Sequence, residues 1–195
     1  MGRTAQKLID HLRVFPYLLE LMGPHVRLDH DYAIFMEQGT SPGRLHGGPD
    51  VVGDHWYKYR DGIIRNGLCV ATYNLAPVKV GDGGFACVPG SHKSTLLINL
   101  PDDVRRLERR PHYVVQPTVD AGDVTFFTEA LIHGTMSWDG QQERRALLYK
   151  YSPGHSAWSG NYYDPNQYSN LTERQQLMII PPSIGNRPRV TLDEN

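Results

Sequence analysis

Charge of one sign is what this chain lacks most plainly. Its 20 lysines and arginines face 21 acids, for a formal net charge of -1. That balance gives no electrostatic argument for nucleic acid or for an anionic membrane as a partner. Long apolar runs are missing too, and none approaches the roughly 20 residues of a membrane span. The opening "MGRTAQKLIDHLRVF" is amphipathic and carries Asp10. A secretory leader needs an unbroken apolar stretch and a small-residue cleavage site, which this is not. Gln6, where Ser or Thr would be required, argues against a myristoylation signal. Cysteine is scarce. Cys69 and Cys87 both lie in apolar, strand-like runs and read as buried free thiols, not as a disulfide, in a reducing and hence cytoplasmic setting. There is no internal repeat and no low-complexity segment.

What is present is a series of short strand signals. Leu8, Leu12, Phe15, Leu18 and Met22 first recur at helical steps, Pro16 suits the start of a second short helix, and Gly23-Pro24 stops it. Strand candidates follow over 26–36, 67–78, 83–91, 112–119, 123–128 and 144–153. Gly/Pro/Asp clusters such as "GTSPG", "VGDGG" and "WDGQ" separate them. "DDVRRLERR" (102–110) reads as a charged helix, and "TERQQLMII" as a short helix capped by Thr172. The expectation is one domain over 1–195, mainly β: a β-sandwich or barrel core (26–153), N-terminal helices (1–24) and a C-terminal tail (154–195).

Of nine histidines, His11, His25, His30, His55, His92, His112 and His155 stand in contexts that surface or structural roles explain. His133 differs. It follows "AGDVTFFTEALI", read as a strand ending in a loop, and precedes an Arg-led strand, an arrangement that suits a site in a barrel mouth.

"GGFACVPGSHKS", "AGDVTFFTEALIHGT" and "ERRALLYKY" together resemble the phytanoyl-CoA dioxygenase family of non-haem iron, 2-oxoglutarate-dependent oxygenases. The resemblance implies a double-stranded β-helix (jelly-roll, cupin-like) core. It implies iron(II), 2-oxoglutarate and O2 as cofactors, and a small-molecule substrate. It makes His133 the later iron ligand and Arg144 the partner of the far 2-oxoglutarate carboxylate, with Thr135 as a further cosubstrate contact. Two imidazoles and a carboxylate on one face suit iron(II), and a guanidinium fork suits a carboxylate. Arg145 follows at once, but strand alternation sends one of the pair inward, and the family's spacing selects Arg144.

The early half of the motif departs from the family's His-x-Asp. His46 is followed by Gly47-Gly48, and no histidine has an acid two residues on. Three readings stay open. Gly48 leaves a position beside iron for chloride, as in the iron/2-oxoglutarate halogenases. Alternatively the loop is rearranged, and Asp50 or Asp54 completes an ordinary hydroxylase. In the third, the site is degenerate and the chain is a binding protein on an oxygenase fold. A metal-dependent cupin isomerase is a competing class that should ignore 2-oxoglutarate. The aromatic, basic stretch 53–67 reads as a substrate lid, with Trp56, Tyr57, Tyr59 and Arg60 facing the substrate. Trp138, Trp158, Tyr162 and Tyr163 are expected to close the other side. The short N-terminus suggests an uncovered sheet face, and with it a homodimer.

Overall fold

The computed structural model describes residues 2–48, 57–94, 99–192. Among these residues, eight strands and four short helices follow one another in the order α1 (Arg3–Gln6), α2 (Phe15–Met22), β1 (Arg27–Met36), β2 (Tyr57–Arg60), β3 (Ile63–Asn66), β4 (Cys69–Asn74), β5 (Gly83–Cys87), α3 (Asp102–Arg105), β6 (Val124–Thr128), β7 (His133–Trp138), β8 (Arg144–Ser152) and α4 (Glu173–Met178). The major sheet has the order β1-β8-β4-β6, and its three pairings are antiparallel. The minor sheet pairs β5 with β7, and β2 with β3 forms a separate hairpin.

Alternation divides the major sheet into two faces. Register puts Arg144, Ala146, Leu148 and Lys150 of β8 on the inner face, with Val70 of β4 opposite Lys150 and Phe127 of β6 opposite Val70. The minor sheet covers this face. Phe85 of β5 packs on Phe127 with ring centroids 4.8 Å apart. Two antiparallel sheets closing on a shared apolar interior make the jelly-roll sandwich expected from the strand pattern.

The outer face carries Ala71, Tyr73, Tyr149 and Tyr151, and it is not bare. Ile9, Val14, Phe15 and Leu18 from the N-terminal segment and Met178, Ile179 and Val190 from the tail cover it in one buried cluster. That removes the reason for expecting a second copy to cover it. Tyr162 lies against Arg27, 5.7 Å from the guanidinium, and the Tyr163 hydroxyl donates to Asp31. Tyr163 packs against this outer cluster, so it does not close the substrate side.

The N-terminal helix differs from its periodicity. Helix α1 ends at Gln6, and Leu12 is exposed. The hydroxyls of Tyr149, Tyr73 and Tyr151 donate to the carbonyls of Ala5, Leu8 and Ile9, acceptors that a continuing helix would use for itself. Helix α2 begins with Pro16 in its first turn and stops at Gly23, whose φ of +78° suits glycine. Helix α3 is one turn, shorter than the charged stretch suggested. Helix α4 has the expected Thr172 cap, completed by a reciprocal bond from the Thr172 N–H to Gln175 Oε1. The stretch 112–119 forms only isolated bridges, Val115 with Cys87 and Val119 with Val78. Cys69 and Cys87 are buried free thiols, and burial raises both pKa values. Among the described residues, no helix is long and apolar enough to cross a membrane.

A register shift in β1 falls at Asp29, which is buried and fastens the start of the tail. Its carboxylate accepts from Arg27 Nη1 at 2.7 Å, from His30 Nδ1, from Ser152 Oγ, and from the backbone N–H of Trp158 and Ser159. Burial would raise its pKa. The bonds from His30, Trp158 and Ser159 and the Arg27 charge outweigh it and hold the pKa at about 2, against an ordinary 3.8. The group binds its proton more weakly folded than unfolded. Its contribution is therefore present above pH 4 and is lost as pH falls toward 2. The shift corresponds to about 2 kcal/mol. Urea unfolding of the parent and of Asp29→Asn should show their stability difference shrinking by about that amount between pH 4 and pH 2. A pH-independent gap would remove Asp29 from the acid sensitivity of the fold.

Candidate metal centre

His46 lies on a strap that runs beside β7. Gly43 N–H donates to Thr135 O at 2.7 Å, His46 N–H to His133 O at 2.8 Å, and His133 N–H back to His46 O at 2.9 Å. This reciprocal backbone pair brings the two imidazoles together, with ring centroids 4.2 Å apart. The strap then turns sharply. Gly47 has φ +87° and Gly48 +104°. A Cβ on Gly47 would come within 2.4 Å of Leu131 O and 2.6 Å of Glu129 O, so only glycine lets the strap press onto the β6–β7 turn. Gly48 N–H donates to Glu129 O at 3.2 Å. Position 48 is therefore not an extended strand position sharing the face of His46, as an ordinary His-x-Asp would require.

A carboxylate does lie near the two imidazoles, from another part of the chain. Glu129 immediately follows β6, anchored by its N–H on Leu68 O at 2.9 Å. The turn back into β7 sets it against His133, with Oε2 3.7 Å from Nε2. His46, Glu129 and His133 each offer one ligand atom, and these atoms all lie within 4.8 Å of one another. Glu129 and His133 are buried, whereas His46 is exposed. His133 is the first residue of β7, not the end of a loop.

Both histidines are poised alike. His46 Nδ1 lies 2.9 Å from Arg44 O and His133 Nδ1 2.8 Å from Leu131 O. A carbonyl only accepts, so each Nδ1 carries a hydrogen and Nε2 is the nitrogen left to face a metal. Burial pushes the His133 pKa down to about 4, opposed by the Glu129 charge and aided by His46. The imidazole is thus neutral, as a ligand must be. Two imidazoles and a carboxylate fit iron(II).

Arg144, the first residue of β8, is buried, while Arg145 points out and pairs with Glu143. Its Nη1 rests on Met36 Sδ at 3.3 Å, its Nε is buried with no hydrogen-bond partner, and burial lowers its pKa. Among the described residues no carboxylate pairs with it. A buried guanidinium with unused donors fits the far carboxylate of 2-oxoglutarate. Gly84 leaves room for it, since a Cβ there would sit 3.0 Å from Arg144 Nε.

Other expected site residues fall in different places. Thr135 alternates with His133 on β7 and so shares its face, partly buried. Tyr57 is partly buried at the start of β2, edge-on to the His92 ring at 5.0 Å. Arg60 is exposed and pairs with its neighbour Asp61. Trp138 is a correction. It is fully buried with Met36 and Val78, its Nε1 donates to Gln142 O at 2.7 Å, and it presents nothing to a substrate. Asp50, Asp54 and Trp56 lie outside the described residues. Glu129 stands four residues before a histidine, outside the His-x-acid spacing that marks the motif in sequence.

The family model described as phytanoyl-CoA dioxygenase (PhyH) matches residues 25–146. HygX from Streptomyces hygroscopicus, solved with nickel and 2-oxoglutarate, is 24% identical with a TM-score of 0.67, over 80% of this chain and 67% of its own. The non-haem α-ketoglutarate-dependent epimerase SnoN, from nogalamycin biosynthesis, is 19% identical with a TM-score of 0.60, over 99% of this chain and 74% of its own. The non-haem monooxygenase ThoJ, as its nickel complex, is 16% identical with a TM-score of 0.58, over 83% of this chain and 58% of its own. At such identities the likeness speaks for the fold. No curated protein sequence matches the chain.

Proposed function

The chain belongs to the phytanoyl-CoA dioxygenase family, and from that premise we propose that it is an iron(II)- and 2-oxoglutarate-dependent oxygenase that hydroxylates an unactivated C–H bond of a small molecule. The observation that carries this reading is the convergence of His46, Glu129 and His133 in a chain that also buries Arg144 with its Nε unpartnered. His46 and His133 would hold the metal through Nε2, and Glu129 through a carboxylate oxygen. Arg144 would bind the far carboxylate of 2-oxoglutarate, and Thr135 would add a hydroxyl beside it. Bound iron supplies the redox chemistry that couples O2 and 2-oxoglutarate to oxidation of the substrate. The residues orient these reactants, and Phe85, Phe127 and Leu148 keep their surroundings apolar.

Glu129 also supports hydroxylation over halogenation. A halide position depends on the absence of the ligand carboxylate, and Glu129 supplies one to the gap that Gly48 leaves in the motif. Anaerobic addition of iron(II) and 2-oxoglutarate should give a weak visible charge-transfer band. Air should then release succinate, and chloride should shift neither the band nor the 2-oxoglutarate affinity. Absence of the band under saturating iron and 2-oxoglutarate would sink the oxygenase reading. A chloride-dependent shift would return the halogenase.

A further inference from the structure

Glu129 offers its two oxygens to different partners. Oε2 faces His133 Nε2, whereas Oε1 accepts from Lys150 Nζ at 2.5 Å. Lys150 stands on the inner face of β8, the strand between β1 and β4, opposite His30 on one side and Val70 on the other. Its side chain is 12% exposed and that of Glu129 2%, so this is no solvated surface pair. The ammonium also lies 5.6 Å from the centre of the Tyr32 ring. A buried pair of this kind is weak evidence for stability, because desolvation offsets much of the attraction. Its position beside the metal ligands gives it another use.

We propose that Lys150 is a positioning residue that keeps Glu129 a one-oxygen ligand. The inference rests on the reading of His46, Glu129 and His133 as the metal site. An unrestrained carboxylate can chelate a metal through both oxygens. With two imidazoles, that would leave an octahedral ion only two positions, and the chelating end of 2-oxoglutarate would fill both. A carboxylate bound through Oε2 alone leaves a third, which O2 requires. Lys150 occupies Oε1 and so keeps that position open. A lysine suits this task better than an arginine. Its single compact charge engages one oxygen, whereas a guanidinium fork engages both.

The test uses the whole chain loaded with cobalt(II), read by calorimetry and visible absorption, so that no turnover is needed. Lys150→Met should leave cobalt affinity equal or tighter, because Oε1 is freed. It should leave 2-oxoglutarate binding to the cobalt form near the parent's, since two positions suffice for it, and weaken azide binding to the cobalt–2-oxoglutarate complex about tenfold or more, because azide needs the third. Lys150→Gln, which keeps an N–H donor for Oε1, should restore most of the azide binding. Lys150→Arg should lower cobalt affinity, since its fork competes for both oxygens. If Lys150→Met fails to fold, the Gln and Arg variants carry the same contrast. Unchanged azide binding to the cobalt–2-oxoglutarate complex in Lys150→Met, or parallel losses of cobalt and 2-oxoglutarate, would overturn the proposal. If Glu129→Gln binds cobalt as tightly as the parent, the metal-site reading itself has failed, whatever Lys150 does.

Discussion

Glu129→Gln should abolish useful metal binding while the protein stays folded. The substitution removes the negative ligand from a set of two imidazoles and one carboxylate. The metal dissociation constant should rise roughly 100-fold or more, at or beyond the upper end of what outer ligand partners are worth. Glutamine is the right replacement. Its amide oxygen still accepts from Lys150, so the variant does not bury an unpaired ammonium, as alanine would. A melting temperature near the parent's, with weak cobalt(II) binding by calorimetry, is the expected pair of results. Restoring an acid at the position the family uses should not rescue it. Gly48 has φ +104°, where an aspartate is strained, and its N–H is held by Glu129 O. If Glu129→Gln binds metal within a few-fold of the parent, the third ligand lies elsewhere, and the acids of the 49–56 stretch become the next candidates.

Arg144→Met should separate cosubstrate from metal. Removing one member of a buried charge pair costs about 2–5 kcal/mol, roughly 30-fold to several thousand-fold in affinity. That loss should fall on 2-oxoglutarate, with cobalt(II) binding unchanged. The cosubstrate-free protein should respond in the opposite sense. Its guanidinium is buried beside a thioether with Nε unpartnered, so replacing it with an apolar chain should raise the melting temperature. Higher stability with poorer 2-oxoglutarate binding is the signature of a charge kept for a ligand. Arg145→Ala, on the outer face, should change neither. A fall in both stability and 2-oxoglutarate affinity in Arg144→Met would instead make the residue part of the fold.

The strands that alternate or stay apolar were legible from composition, β1, β4, β6 and β8 among them. Others were hidden for local reasons. The hairpin β2–β3 looked like a loop, although Asp61-Gly62 between Tyr59 and Ile64 is a two-residue hairpin signal, and both turn residues have positive φ. Strand β7 carries Gly134 where a strand former would be expected. The strap explains it, since a Cβ there would lie 2.7 Å from Arg44 O. The site divides in the same way. Arg144 could be chosen over Arg145 because strand alternation is local. Glu129 could not be found by spacing, because its place beside His133 depends on a turn rather than a repeat. Asp10 stands in an amphipathic opening segment. It is buried against Arg174 and Gln175, far away in sequence, and nothing local announces such partners.

The backbone pair between His46 and His133 has a thermodynamic consequence. The two imidazoles are held together by main-chain hydrogen bonds that exist without any ion, and each ring is oriented by a carbonyl of its own segment. Folding, not ligation, therefore bears most of the entropy of assembling the donors. Such a centre behaves as a rigid socket. Its ion can be stripped and replaced by exchange with a chelator while the sandwich persists, in contrast to domains whose folding waits on their metal.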